Sequence, residues 1–222
     1  MTKSIVLLSG GLDSLVSLGL KKEELNVNLA LTFDYGQKSA QQEIEASKKI
    51  CDYYGIRHEV IKLDWLKNIT QTSLVSDDVV PTGSALDDEV QSMKSVWVPN
   101  RNGLFLNIAG CYADSFGFNN ILIGANREEA QTFPDNTLEF IDAVNNEFKY
   151  STQISPRVVA PLIYSDKNDI VMLALNNGIP LELTRSCYNK GEKHCGECES
   201  CVRLKKALNA NNDEKYTRIL FG

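Results

Sequence analysis

"LLSGGLDSLVSL" occupies residues 7–18. It ends the aliphatic run "SIVLL" at 4–8 and passes through Ser9-Gly10-Gly11 straight into apolar residues at near-helical spacing. A buried strand that turns into a helix through glycines leaves several backbone N–H groups pointing at one spot, with no Cβ in the way. The helix dipole makes that spot positive, and the Ser9 and Ser14 hydroxyls add donors, so together they can hold a pyrophosphate. The stretch is not a Walker A loop, because no Gly-Lys-Ser/Thr follows. Nor is it the dinucleotide fingerprint, because Gly-x-Gly-x-x-Gly is absent. Asp13 repels phosphates unless Mg²⁺ lies between them or its side chain caps the helix.

Working outward, "NVNLALTF" at 26–33 reads as a second strand, joined to the first by the helix-like "LDSLVSLGLKKEEL". The pattern then repeats. An amphipathic helix over 39–55 ends at Gly55, and "RHEVIKL" at 57–63 gives a third strand. After Pro99 an apolar helix begins near Gly103, and "NNILIGAN" at 119–126 supplies a fourth strand. A helix over 135–151 is capped by Asp135 or Asn136, a fifth strand fits 157–164, and a last helix runs from a Ser165 or Asp166 cap to Gly178. Residues 70–95 lose periodicity and carry Asp77, Asp78, Asp87, Asp88 and Glu89, which reads as an acidic mobile lid or a solvated loop. Alternating strands and helices predict an α/β fold: a doubly wound, mainly parallel five-stranded sheet. Residues 1–180 form this domain, and 181–222 form a C-terminal metal-binding segment packed on it.

The 222 residues are 43% hydrophobic, enough to bury a core in one domain. A net charge of −6 and a pI near 5.1 argue against a dedicated nucleic-acid surface. No segment approaches the roughly 18 apolar residues of a membrane span, so a cytoplasmic location is expected.

Cys187, Cys195, Cys198 and Cys201 crowd one stretch at spacings of eight, three and three. In a reducing compartment such crowding points to a metal, with His194 as an alternative ligand. The spacing leaves zinc and iron–sulfur both open. A closed four-cysteine site has no open position, so its role is to staple the C-terminal segment beside the active site.

"SGGLDS" after the first strand resembles the PP-loop of the ATP pyrophosphatase superfamily, of adenine nucleotide alpha hydrolase-like type. Combined with Cys-x7-Cys-x2-Cys-x2-Cys it resembles the 7-cyano-7-deazaguanine synthase family. "FDYGQ" at 33–37, "VPNRN" at 98–102, "IGAN" at 123–126, "FPD" at 133–135, "PLI" at 161–163 and "SCY" at 186–188 follow in family order, so the likeness runs from Ser9 to Arg203.

That resemblance implies an ATP-dependent ligase of queuosine biosynthesis. It adenylates 7-carboxy-7-deazaguanine, lets ammonia displace AMP, and activates the amide with a second ATP to leave the nitrile. It assigns Leu8, Ser9, Gly10, Gly11, Leu12, Asp13, Ser14 and Leu15 to Mg-ATP and the four cysteines to structural Zn²⁺. It also places Lys38, Arg101, Asn102 and Asp135, with Asn100, at the substrate, and it implies a homodimer with no stable nucleic-acid partner. The chain departs from the family pattern at Lys38-Ser39, where Arg-His is usual, and at Asn136, where Cys is usual. A related deazaguanine ligase that stops at the amide, or that joins the acid to another amine, would keep both motifs, and a PP-loop tRNA thiolase with an iron–sulfur cluster on the cysteines is the rival enzyme reading.

Overall fold

The computed structural model describes residues 2–76, 80–83 and 95–222. The acidic residues Asp77, Asp78, Asp87, Asp88 and Glu89 of the expected lid lie outside them. Strands β1 (Ser4–Leu7), β2 (Val27–Asp34), β3 (Arg57–Lys62), β4 (Asn120–Leu122) and β5 (Arg157–Val159) form one sheet in the order β3-β2-β1-β4-β5. Every pairing is parallel, as the buried aliphatic runs require.

Helices α1 (Leu12–Lys21), α2 (Ala40–Tyr54), α3 (Leu66–Ile69), α4 (Arg101–Phe116) and α5 (Arg127–Ala130) come first in the chain. They are followed by α6 (Leu138–Ser151), α7 (Lys167–Asn176), α8 (Glu199–Ala210) and α9 (Glu214–Phe221). The period-two alternation of β1 sorts them onto two faces. Ile5 and Leu7 pack with Leu106 and Ala109 of α4 and Phe148 of α6. Val6 and Leu8 pack on the opposite face with Leu15 of α1, Ile50 of α2, Ile170 of α7 and Leu204 of α8. Leu204 and Leu208 thus share a core with β1, and truncating either to Ala should cost about 2–5 kcal/mol.

Several expected boundaries shift. The fourth and fifth strands stop at Leu122 and Val159 rather than running to 126 and 164. Past those points the chains leave the ladder: Gly124 abuts the phosphate loop, and Pro161 has no N–H to give. Helix α4 starts at Arg101, after Asn100 at φ 54°, and not at Gly103. Helix α6 is capped by Thr137, whose hydroxyl accepts from Phe140 N at 3.1 Å, so Asp135 and Asn136 are freed for a 3₁₀ turn before it. Asp166 does cap α7, in a reciprocal pair with Asp169. Within 70–95, the described part is packed rather than solvated. Leu74 is buried, Ser73 N bonds Ser95 O at 2.9 Å, and Thr82 pairs with Cys198. Among the described residues no helix is long and apolar enough to cross a membrane.

Candidate functional site

In an open α/β sheet the crevice lies where the strand order reverses, outside the carboxyl ends of the strands. Here that point is between β1 and β4, and the phosphate loop stands there. Gly10 has φ +74°, and a Cβ on it would come within 2.8 Å of Ala46 Cβ on α2. A Cβ on Gly124 would meet Ser14 N at 2.9 Å, so the end of β4 fits against the first turn of α1 only as glycine. Gly11 is the N-cap of α1 and has no side chain to close it. Ser9 Oγ and Ser14 Oγ are 3.2 Å apart, and Ser14 Oγ also accepts from Ser9 N. Leu12 N donates to Ser186 Oγ at 3.2 Å, so the loop is braced from the C-terminal segment.

Asp13 does not cap its helix. Its Oδ2 accepts from Lys167 Nζ at 2.5 Å, while its Oδ1 is buried without a partner. Lys167 also holds Glu129 at 3.0 Å. Burial pushes the Asp13 carboxyl up to about 6, against the pull of Lys167. For Glu129 burial works the same way, but the Lys167 charge outweighs it and the carboxyl lies below its usual range. Arg203 bridges Glu128 and Glu199 at 2.9 and 2.8 Å.

One cavity runs from this loop to an aromatic end. Ser9, Gly11, Leu12, Asp13 and Ser14 line the first end, with Leu8 behind them, whereas Gly10 and Leu15 are not among the lining residues. At the other end Trp97 stacks on Phe133 with centroids 5.3 Å apart, and Phe33 stacks on Phe105 at 3.9 Å. Arg101 lines this end and donates to Tyr35 Oη at 3.3 Å. Asp135 Oδ2 accepts from Asn102 N at 3.2 Å and its Oδ1 from Asn136 Nδ2 at 3.2 Å, while burial raises its carboxyl above the usual range. Arg101, Asn102 and Asp135 therefore converge, whereas the Lys38 side chain is not among the lining residues and Asn100 sits at the turn before α4.

The four cysteine sulfurs lie within 4.8 Å of one another. The Cys195–Cys201 separation of 3.8 Å matches the roughly 3.8 Å edge of a tetrahedron with metal–sulfur bonds near 2.3 Å. Glu197 N and Cys198 N both point at Cys195 Sγ, at 3.4 and 3.3 Å. Hydrogen bonds from Cys198 and Cys201 pull the Cys187 thiol down, and the bond to Cys187 pushes Cys198 up to about 12. Four sulfurs at this spacing are the donor set of a closed tetrahedral metal site. His194 is not one of the grouped ligands, and its Nε2 accepts from Ser186 N at 3.0 Å.

The model of the family described as queuosine biosynthesis protein QueC matches residues 3–212. The chain belongs to that family. A 7-cyano-7-deazaguanine synthase of Carboxydothermus hydrogenoformans is 54% identical over 95% of this chain and 100% of its own length. One from Methanosarcina mazei is 51% identical over 93% of each. A solved structure from Methanocaldococcus jannaschii, described as a predicted subunit of tRNA methyltransferase, covers 100% of this chain and 93% of its own. Its TM-score is 0.50 at 16% identity, a likeness of fold.

Several cavity residues of this family member escape a reading of the sequence: Lys167, Glu129, Trp97 and Arg185, while Ser186 and Tyr188 enter it only as part of the motif "SCY" and without a role. Lys167 is the first residue of a capped helix and Trp97 precedes a motif by one residue, so neither stands out by spacing. Arg185 could have been found, because it directly precedes the motif that holds the first cysteine of the cluster.

Proposed function

We propose that this chain is an ATP-dependent enzyme that converts 7-carboxy-7-deazaguanine and ammonia into 7-cyano-7-deazaguanine. The observation that carries the reading is the two-ended cavity: an anion loop at the β1/β4 crevice faces an aromatic, arginine-bearing end across one continuous space. The relatives are named as synthases of this nitrile, which favours it over a tRNA thiolase.

In this reading the triphosphate of Mg-ATP lies on Ser9–Ser14. The N-terminal turn of α1 and the two hydroxyls stabilise the charge that builds on the leaving pyrophosphate. Asp13 Oδ1, buried and unpartnered, would be the oxygen that takes the Mg²⁺. Lys167 holds Asp13 in place and lines the same cavity. At the other end the flat deazaguanine meets the Trp97 and Phe133 rings. Arg101 pairs with the carboxylate, and Asp135 accepts from the guanine-like edge.

The carboxylate oxygen attacks the α-phosphorus and pyrophosphate leaves. Ammonia then adds to the acyl carbon, AMP leaves, and one proton is lost to give the amide. The amide oxygen repeats the attack on a second ATP and pyrophosphate leaves, and loss of AMP and of both amide protons leaves the carbon–nitrogen triple bond. Zn²⁺ on the four thiolates supplies no chemistry to these steps and holds the C-terminal segment against the loop. A homodimer in the cytoplasm completes the proposal, and light scattering of the purified chain tests the dimer.

The test is to incubate protein with ATP, Mg²⁺, ammonium and 7-carboxy-7-deazaguanine, follow pyrophosphate and weigh the product. A nitrile with two AMP formed per molecule is expected. An amide that accumulates with one AMP would make the chain an amide-forming ligase, and absence of turnover would overturn the reading.

A further inference from the structure

The segment Thr184–Ser186 lies across the phosphate loop. Arg185 N donates to Gly10 O at 2.7 Å, Thr184 Oγ1 reaches the same carbonyl at 3.4 Å, and Ser186 Oγ takes Leu12 N. The next residue is Cys187, the first sulfur of the metal cluster. The Arg185 guanidinium donates through Nη2 to Asn189 O at 2.7 Å and through Nη1 to Glu192 O at 3.4 Å. Both carbonyls belong to the loop between Cys187 and Cys195. Arg185 is only 7% exposed, lines the cavity, and its Nε is buried with no hydrogen-bond partner.

Charge makes this residue stand apart. Lys167 and Arg203, the other C-terminal cations of the cavity, each hold two carboxylates. Among the described residues no carboxylate forms an ion pair with Arg185. Glu43, whose ionised form Arg185 favours, is itself engaged by Ser39 Oγ at 2.6 Å and Gln37 Nε2 at 3.0 Å. A buried N–H without an acceptor is costly, the more so on a charged group. That cost ends if an anion at the adjacent loop accepts from it.

We propose that Arg185 is a phosphate ligand, which the metal loop presents to Ser9–Ser14, and that it takes the phosphates that leave as pyrophosphate. The inference rests on the ATP reading of that loop. Two of the guanidinium's N–H groups are fixed by carbonyls between the first two cysteines, so its position is set by the loop that the metal closes. Of the three N–H groups that remain, Nε–H, buried without a partner, is a charge-assisted donor for a phosphate oxygen. This gives the metal a function at the reaction centre without contact with substrate.

The metal-loaded full chain is titrated with inorganic pyrophosphate and, separately, with AMP. Arg185→Gln should weaken pyrophosphate binding at least about tenfold and AMP binding less than about twofold, with Arg185→Lys between wild type and Gln. Equal pyrophosphate affinity in wild type and both variants overturns the proposal and leaves the ATP reading standing. No pyrophosphate binding by wild type removes both. If the variants lose metal or fail to fold, the Arg185 Nε–H resonance of the wild type decides. A shift on saturation with pyrophosphate is expected, and a resonance that does not move overturns the proposal.

Discussion

At the phosphate end of the cavity the frame is contiguous, six residues from Ser9 to Ser14 held by strand-to-helix geometry and by glycines that allow close approach, with Lys167 and Arg185 brought to it from the C-terminal half. At the aromatic end they arrive from four separate segments: Phe33 and Tyr35, Trp97–Asn102, Phe133–Asn136, and Tyr188. In the proposed reading the first end works through backbone dipoles and hydroxyls backed by three charged side chains, Asp13, Lys167 and Arg185. The second works through ring faces and one guanidinium, so its specificity depends on how those segments fold together. An end framed by one short segment can serve two adenylations without change, while the other end must accept an acid and then an amide.

Substitutions break or sharpen this contrast. The largest effect should come from Cys198→Ser, because this buried residue is both a cluster sulfur and the N-cap of α8. Loss of metal by elemental analysis is expected, with a fall in Tm of roughly 10 °C or more. A folded, metal-free, active variant would detach the phosphate end from the C-terminal segment.

Asp13→Asn should slow pyrophosphate release at least roughly tenfold, about 1.4 kcal/mol of barrier, with metal content unchanged. Its stability should move the other way. The Asp13 carboxyl is raised, so the fold favours its protonated form, a contribution present below about pH 4 and lost as the pH rises through about 6. The advantage of the Asn variant over wild type should therefore grow as the pH rises from about 4 to about 6 and level off above that, as read in thermal melts. A gain that shrank as the pH rose would contradict the burial argument.

Arg101→Lys acts on the opposite end. It keeps the charge but loses the planar fork, so KM for the acid should rise about fivefold to tenfold while KM for ATP changes less than about twofold. Equal effects on both would mean that the two ends are not separate. The smallest effect is expected at Lys38, which does not line the cavity: Lys38→Gln should alter either constant less than about twofold in steady-state assays.

The same contrast explains what the sequence made legible. β1, the loop and α1 could be read from residues 4–18 because local pattern, glycine position and helix period agree there. The cysteine cluster was legible because ligand type and spacing are local. Period alone overran β4 and β5, since apolar residues past Leu122 and Val159 serve the cavity wall and the core rather than the ladder. Thr137 displaced Asp135 as a cap because Asp135 is held by Asn102 from another helix, a contact 33 residues apart that no local pattern encodes. Lys167 was invisible for the same reason: its partner Asp13 is 154 residues away.

The central claim is that ATP and the acid occupy opposite ends of one cavity. A crystal structure of the chain with a non-hydrolysable ATP analogue and 7-carboxy-7-deazaguanine tests it most directly. The account predicts the triphosphate on Ser9–Ser14 and the deazaguanine between Arg101 and Asp135, with its carboxylate turned toward the α-phosphate. Density for the acid at the loop, or for the triphosphate against the Trp97–Phe133 rings, would contradict it.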